Sequence, residues 1–258
     1  LANLESNTYP YANPVVSDDG KLVAYLSDMG SSDAEVTRAA YAVKDGSSYA
    51  RRTAISDDGY GDSQLSLSGT EDFAVSAWTR QAVALKKENG TTLTSDDQMM
   101  MLNGTEVYAS VYSGGSWSTT RLTDNSSPDL APVVAVNGDR AIVAWRSVSA
   151  SGAFAEDNGN VPSMTNFDER DNIVYKMYAD GVWGETQTLY NGTSGNVKGI
   201  VTAMLEDGTA AVAYTLDTDR QDGTVTDREI VYAVVGADGQ VLRNVQATND
   251  AYLDENPQ

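Results

Sequence analysis

The chain has 258 residues, with 17 basic and 37 acidic side chains and a formal net charge of −20. Proteins that bind nucleic acids neutralise phosphates with cationic side chains, so this balance excludes that class and also disfavours docking on anionic membranes. With no cysteine and no histidine, the chain offers no disulfide, no thiol nucleophile and no imidazole for a catalytic triad or a metal site.

Four segments along the chain share one pattern: an apolar strand, a tight polar or glycine turn, and a second strand that ends on an aromatic residue. These aromatics are Tyr25, Trp78, Trp145 and Tyr214. A second unit follows each of them, in which a strand carrying a tyrosine is joined by a turn to a last strand. The tyrosines are Tyr41, Tyr108, Tyr175 and Tyr232. Alternating apolar and polar residues around such turns predict β-hairpins.

The spacing of the repeats predicts the fold. The separation of Tyr41 from Tyr108 is the same as that of Tyr108 from Tyr175, and Trp78 and Trp145 are spaced by the same interval again. Four strands in every repeat of about 55–70 residues are typical of propeller blades. We therefore predict an all-β protein, a β-propeller of four four-stranded antiparallel blades with the aromatic column packed between them.

The repeats predict blade boundaries at about 7–60, 61–128, 129–194 and 195–249 within one propeller region. Residues 1–6 resemble the end of a last strand, and 250–258 resemble the start of a first one. We interpret them as the tail of a preceding blade and the beginning of a following one. The chain is then expected to be part of a larger propeller, and to self-associate through its terminal blades when isolated.

Two segments carry a family resemblance. Residues 17–28, SDDGKLVAYLSD, resemble the repeat of TolB-like and tricorn-like propellers. Residues 172–189, NIVYKMYADGVWGETQTL, are similar to blade repeats of secreted bacterial propellers, including sialidase-like ones. The resemblance implies the propeller architecture and an extracellular, bacterial protein.

Length variation points to one working face. If the strands of each blade are called A to D from the inside outwards, the B-strand aromatic and the C-strand tyrosine lie much further apart in the second and third repeats than in the first and fourth. The variation therefore lies in the B–C loop, which leaves a propeller on the same side as the D–A connection. We call this side the loop face. Rigid scaffolds commonly carry binding residues on such loops.

Candidate ligand-binding residues on the loop face are aromatic or methionine side chains that fall in its loops, where the alternative is an apolar plug beneath each loop. They are Tyr60, Met100, Phe154, Phe167 and Tyr252. The methionine run 99–101 is also expected to begin strand C of the second repeat, after a single helical turn that the preceding sequence Ser95-Asp96-Asp97-Gln98 predicts.

An acidic stretch in the last B–C loop predicts a cation site. Hard cations such as Ca²⁺ bind several carboxylate oxygens on a tight turn, although a solvated acidic turn is the alternative. The candidate metal ligands are Asp217, Asp219, Asp222 and Asp227.

These features predict a non-catalytic extracellular module, secreted or attached to the cell surface, that binds a glycan or a cell-surface protein. A sialidase would need an arginine cluster, and the arginines here are scattered, so we expect that the chain is not an enzyme. The alternatives are a fragment of a propeller glycoside hydrolase or polysaccharide lyase, and a structural spacer of a large surface protein. No apolar run approaches the length of a membrane-spanning helix, so direct membrane insertion is not expected.

Overall fold

A computed structural model describes residues 12–28, 37–55, 61–82, 95–148, 171–221 and 223–257. Within these ranges the strands form four antiparallel sheets in chain order, each sheet built from one sequence repeat. The predicted fold class, an all-β propeller with four blades of four strands, is confirmed.

The elements follow one another without crossing between blades. The strands of blade 1 are β1 (Val15–Val16), β2 (Leu22–Asp28), β3 (Thr37–Asp45) and β4 (Ser48–Ala54). Blade 2 consists of β5 (Asp62–Gly69), β6 (Phe73–Gln81), the helix α1 (Ser95–Asn103), β7 (Thr105–Ser113) and β8 (Ser116–Arg121). Blade 3 consists of β9 (Asp129–Asn137), β10 (Arg140–Val148), β11 (Asp171–Ala179), β12 (Val182–Trp183) and β13 (Gln187–Tyr190). Blade 4 consists of β14 (Asn196–Met204), β15 (Ala210–Asp217), β16 (Arg228–Val235) and β17 (Val241–Gln246).

Most of the core lies between neighbouring blades, and a smaller cluster that includes Tyr25 covers the face of blade 1 that points away from blade 2. Three clusters of buried apolar side chains join blade 1 to 2, blade 2 to 3 and blade 3 to 4. The aromatic column predicted from the repeats is buried, with Tyr25, Trp78, Trp145 and Tyr214 at most 2 % exposed. Burial of such large side chains supplies much of the free energy that holds the blades together.

The tyrosine column predicted from the same spacing is wrong in one blade. Tyr108 pairs directly with Trp78, so both side chains point towards blade 1. Tyr41 and Tyr175 instead pair with alanines and point towards the next blade. A shift of one residue moves a side chain to the opposite face of a sheet. The structural equivalent of Tyr41 in blade 2 is therefore Ala109, which pairs with Ala77.

The prediction that the methionine run begins strand C is wrong. Residues 95–103 form a nine-residue helix, which extends the single turn that the Ser95-Asp96-Asp97-Gln98 sequence predicts. The helix places Met100 on the surface, where 43 % of its side chain is exposed.

Blade 4 has two unequal faces. Along β16 every second residue is buried against blade 3, including Val231, Ala233 and Val235. The residues between them, among them Ile230, Tyr232 and Val234, are only partly buried. Among the described residues, no helix is both long and apolar enough to span a membrane.

Candidate functional site

Buried carboxylates mark one end of the propeller. Among the described residues, six acidic side chains are buried, and each lies at the loop-face end of its strand. We call this set the carboxylate belt, and its members are Asp62, Glu106, Asp129, Asp171, Asp217 and Glu229. Burying a charge costs free energy unless a partner compensates it. A one-sided distribution of buried carboxylates therefore distinguishes the loop face from the opposite face.

Most of the belt is held by matched donors. The Arg80 guanidinium lies 2.7 Å from Asp62, and both side chains are almost fully buried. Asp62 also accepts the backbone N–H of Ala39, which joins blade 2 to blade 1 at 2.9 Å. Trp145 donates its indole N–H to Asp129 at 3.0 Å. These carboxylates fix the ends of strands and connect neighbouring blades.

The belt is not among the sites predicted above, although the sequence contains a usable signal. Asp62, Asp129 and Asn196 occupy the first position of strand A in blades 2, 3 and 4. Each is separated from the next by the same interval as Trp78 from Trp145. A polar residue that recurs in register with a buried aromatic predicts a buried polar position.

The acidic stretch of blade 4 forms a compact site at the same end. β15 ends at Asp217 and β16 begins opposite it at Arg228, so the loop 218–227 is a closed hairpin connection. Thr218 donates its backbone N–H to the carbonyl of Asp227 at 3.2 Å, and Asp219 donates its own to an Asp227 carboxylate oxygen at 2.9 Å. Aspartates favour such local bonds to the backbone, which explains why this sequence closes into a tight loop.

Three carboxylates meet in this loop. Oxygen atoms of Asp217, Asp219 and Asp227 all lie within 4.8 Å of one another. We call these residues the acidic cluster. Asp217 is fully buried, Asp227 is half-buried and Asp219 is exposed. The Oδ2 atom of Asp217 and the Oδ1 atom of Asp227 are both buried, and no described residue donates a hydrogen bond to them.

The two central carboxyl groups differ in acidity. Burial raises the pKa of Asp217, and the charges of Asp227 and Asp219 add to this, while Lys198 opposes it. For Asp227, burial also acts to raise the pKa, but hydrogen bonds from the backbone of Asp219 and from neighbouring groups outweigh it and lower the pKa. Lys198 Nζ and Arg228 Nε lie 3.7 and 3.9 Å from Asp217 Oδ2, too far for hydrogen bonds.

The structure brings together three of the four predicted metal ligands, whereas Asp222 lies outside the described residues. Of the five predicted ligand-binding residues, only Met100 and Tyr252 are among the described residues. Met100 is on α1, and Tyr60, Phe154 and Phe167 lie outside the described residues. Tyr252 is 76 % exposed.

The segment after β17 returns to the acidic cluster. Arg228 binds Glu255 at 2.8 Å, Asp254 donates its backbone N–H to the Arg228 carbonyl, and Asp250 donates to Glu229. Tyr252 therefore lies in a segment that is tied to the start of β16.

No protein-family model matches the chain, and no curated protein matches it in sequence. Its fold is found among solved structures. An α-L-arabinofuranosidase from Fusarium graminearum is similar with a TM-score of 0.53 and 12 % identity, over 96 % of this chain and 70 % of that one. A sialidase from Trypanosoma rangeli has a TM-score of 0.43 at 12 % identity, over 82 % of this chain and 33 % of that one. A prolyl endopeptidase has a TM-score of 0.43 at 11 % identity, over 92 % and 27 %. The chain thus spans between 27 % and 70 % of the length of these proteins.

The comparisons confirm the propeller part of the family resemblance and correct the prediction that the chain is not an enzyme. The similar structures are enzymes, among them propellers that act on carbohydrates, so the non-catalytic interpretation is withdrawn. That prediction rested on the scattered arginines, which speak only against a sialidase, whereas a pair of carboxylates is enough to hydrolyse other glycosides. At 12 % identity the arabinofuranosidase shares the fold, and activity is a separate matter.

Proposed function

We propose that this chain is part of a β-propeller glycoside hydrolase that binds its glycan on the loop face. The observation that carries the proposal is the one-sided carboxylate belt, which concentrates buried acidic groups at a single end of the fold. Carboxyl groups with perturbed pKa values cluster at functional sites. The arabinofuranosidase supports the proposal, since its propeller covers nearly the whole chain.

The chemistry agrees with the composition. Glycosidases use one carboxylic acid as the proton donor and a second carboxylate as nucleophile or base. The environments of Asp217 and Asp227 displace their pKa values in opposite directions. A pair of this kind is the usual basis for assigning acid and base roles. Residues of the loop face can therefore supply both roles without a histidine.

Hydrolysis of a panel of aryl glycosides and neutral polysaccharides, arabinan among them, tests this proposal. We expect turnover by the protein and a loss of at least about 100-fold in Asp227→Asn or Glu229→Gln, the usual scale of an acid–base contribution. Asp207→Asn is the matched control, because Asp207 is an exposed aspartate in the turn between β14 and β15, on the opposite face. Absence of turnover on every substrate, or equal loss in the control, would contradict the proposal.

As the alternative role for these same carboxylates, with the acid and base then supplied by other residues of the loop face, we propose that the acidic cluster binds Ca²⁺ and so fixes the 218–227 loop. Two buried carboxylate oxygens without hydrogen-bond donors support this, because burying a polar atom without a partner is costly and a cation would supply the missing partner. Calcium should raise the melting temperature, by mass action on the folded state. The increase should disappear in Asp219→Asn and persist in Asp207→Asn. An unchanged melting temperature between chelator and millimolar calcium would exclude the metal while leaving the hydrolase proposal intact.

Two broader proposals follow from the same features. We propose that the chain belongs to a larger ring, with the partly exposed face of β16 covered by a further blade or, in isolation, by a second copy. We also propose an extracellular location, which suits a protein that acts on polysaccharides.

A further inference from the structure

A groove between blades 2 and 3 lies away from the loop face. It has a volume of about 200 Å³ and runs along the outer strands, near the turns that connect strands C and D. One wall is aromatic, and the other is a row of hydroxyl groups. We call it the Trp183 groove, and its lining residues are Val111, Ser113, Ser116, Ser118, Thr120, Tyr178, Gly181 and Trp183.

The aromatic wall comes from the C–D hairpin of blade 3. Tyr178 and Trp183 face each other across β11 and β12, with ring centroids 5.0 Å apart and an edge-to-face angle of 61°. Phe73 supports Tyr178 from behind, at 6.0 Å. Both wall side chains are only partly buried. Large aromatic rings stabilise a fold most when water is excluded from them, so these two rings contribute less to stability than fully buried rings would.

The hydroxyl wall comes from β8. Successive side chains of a strand alternate between its two faces, so Ser116, Ser118 and Thr120 share one face. All three are exposed. The opposite face of β8 carries Trp117, which packs against blade 1.

The neighbouring groove, between blades 1 and 2, explains why this one is open. There the equivalent tryptophan, Trp117, is covered by Tyr41 at a centroid distance of 5.5 Å. In the next blade, the strand register places Ala109 at the position equivalent to Tyr41. Alanine is too small to cover Trp183, and among the described residues the ring in contact with Trp183 is that of Tyr178 in its own blade.

We propose that the Trp183 groove binds one residue of a neutral glycan. A sugar ring presents an apolar C–H face that can lie on the aromatic wall, and hydroxyl groups that can bond with the serine and threonine wall. None of the lining residues is charged, so nothing in the groove compensates a carboxylate or a sulfate on the ligand. The volume is below the range of about 300–1,000 Å³ typical of sites for drug-sized ligands, which fits a single sugar residue.

This site is separate from the loop face and does not depend on the proposed hydrolase. It would hold a polysaccharide on the outside of the propeller and raise the local concentration of chain segments at the loop face, by the effective-concentration argument that applies to any second binding site.

Affinity electrophoresis in gels containing neutral polysaccharides, with polygalacturonate as the anionic comparison, tests the proposal. We expect a neutral polysaccharide to retard the protein, and Trp183→Ala to weaken the apparent affinity by at least about tenfold, as truncation of a central aromatic often does. Ser118→Arg should have the same effect, because it fills the groove from an exposed position without removing a packed side chain.

Ala50→Arg provides the matched control, since Ala50 holds the position of Ser118 in blade 1, beside the groove that Tyr41 fills. It should leave the retardation unchanged. Unchanged binding in Ser118→Arg, retardation only by polygalacturonate, or no retardation by any neutral polysaccharide would overturn the assignment. Asp227→Asn should keep the binding even if it abolishes hydrolysis, which separates this site from the proposed function.

Discussion

Trp78 and Trp145 provide an internal comparison for the energetics of the carboxylate belt. Both are fully buried at equivalent positions in blades 2 and 3, yet they differ in one bond. Trp145 donates its indole N–H to Asp129 at 3.0 Å, whereas the buried indole nitrogen of Trp78 has no acceptor among the described residues. Replacing each by phenylalanine removes the same volume, so the cavity contributions largely cancel.

The difference between the two variants then measures the hydrogen bond. A hydrogen bond to a charged group contributes about 1.5–3 kcal/mol. The Trp78→Phe variant loses part of the stacking between this ring and the Arg80 guanidinium, which lies 5.4 Å away. Interactions of this type contribute about 0.5–1 kcal/mol, and this loss reduces the difference between the two variants. We therefore expect Trp145→Phe to be less stable than Trp78→Phe by about 1–2 kcal/mol at neutral pH.

The difference should depend on pH in a defined direction. Burial raises the pKa of Asp129, against the effect of donors that include Trp145. The folded protein therefore holds this proton more tightly than the unfolded chain, and lowering the pH through the range between the two pKa values stabilises the fold. Loss of the Trp145 donor raises the folded pKa further. The excess cost of Trp145→Phe should consequently shrink as the pH falls from about 7 towards about 4.

Equilibrium unfolding in urea at the two pH values, with equal slopes in all variants, gives the free energies directly. Equal destabilisation by the two substitutions at neutral pH would refute the assigned role of the hydrogen bond. If the difference in unfolding free energy between the two variants became larger at low pH, protonation of Asp129 would not be the cause of the pH dependence.

Three other substitutions or conditions test separate features. Arg80→Met should destabilise the protein by about 3–5 kcal/mol in urea unfolding, because it leaves the Asp62 carboxylate buried without its guanidinium; an unchanged midpoint would mean that the pair adds nothing. Calcium should raise the melting temperature more at pH 7 than near pH 4, because burial raises the pKa of Asp217 and a protonated carboxyl group is a poor ligand; equal shifts at both pH values would contradict the site. Gly69→Ala should cost more than about 1 kcal/mol, since φ is +108° and the new Cβ would lie 2.4 Å from a backbone carbonyl oxygen. Gly114→Ala, whose Cβ would meet nothing within 4 Å, separates the steric cost from the cost of a positive φ.

The repeat period predicted the blades because each blade buries its aromatic at the same place in its second strand. It could not predict the strand register. The sequence separation of Trp78 from Tyr108 is identical to that of Trp145 from Tyr175. Tyr108 nevertheless pairs with Trp78, whereas Tyr175 pairs with Ala144. Residue counts do not reveal how many residues a loop or bulge absorbs, and one residue reverses the direction of a side chain.

The candidate sites also differ in how far the sequence predicts them. Aspartates that alternate along a short loop identified the acidic cluster, because the chemistry of the ligands is present in the sequence itself. The burial of Asp217 could not be predicted, since nothing in the sequence pattern distinguishes it from Asp219, which is exposed. The Trp183 groove depends on which side chain of blade 2 opposes a tryptophan of blade 3. Such a relation emerges only when two repeats are placed side by side.

The broken outer strand of blade 3 affects how the protein behaves at high concentration. An outermost strand leaves a row of backbone donors and acceptors unpaired, and long exposed edges recruit strands from other molecules. In blade 3 this edge is divided into two and four residues, β12 and β13. In blade 4, β17 is continuous over six residues, and Leu242 within it is 64 % exposed. We therefore expect β17 to promote aggregation more than the outer edge of blade 3, and Leu242→Lys to oppose it.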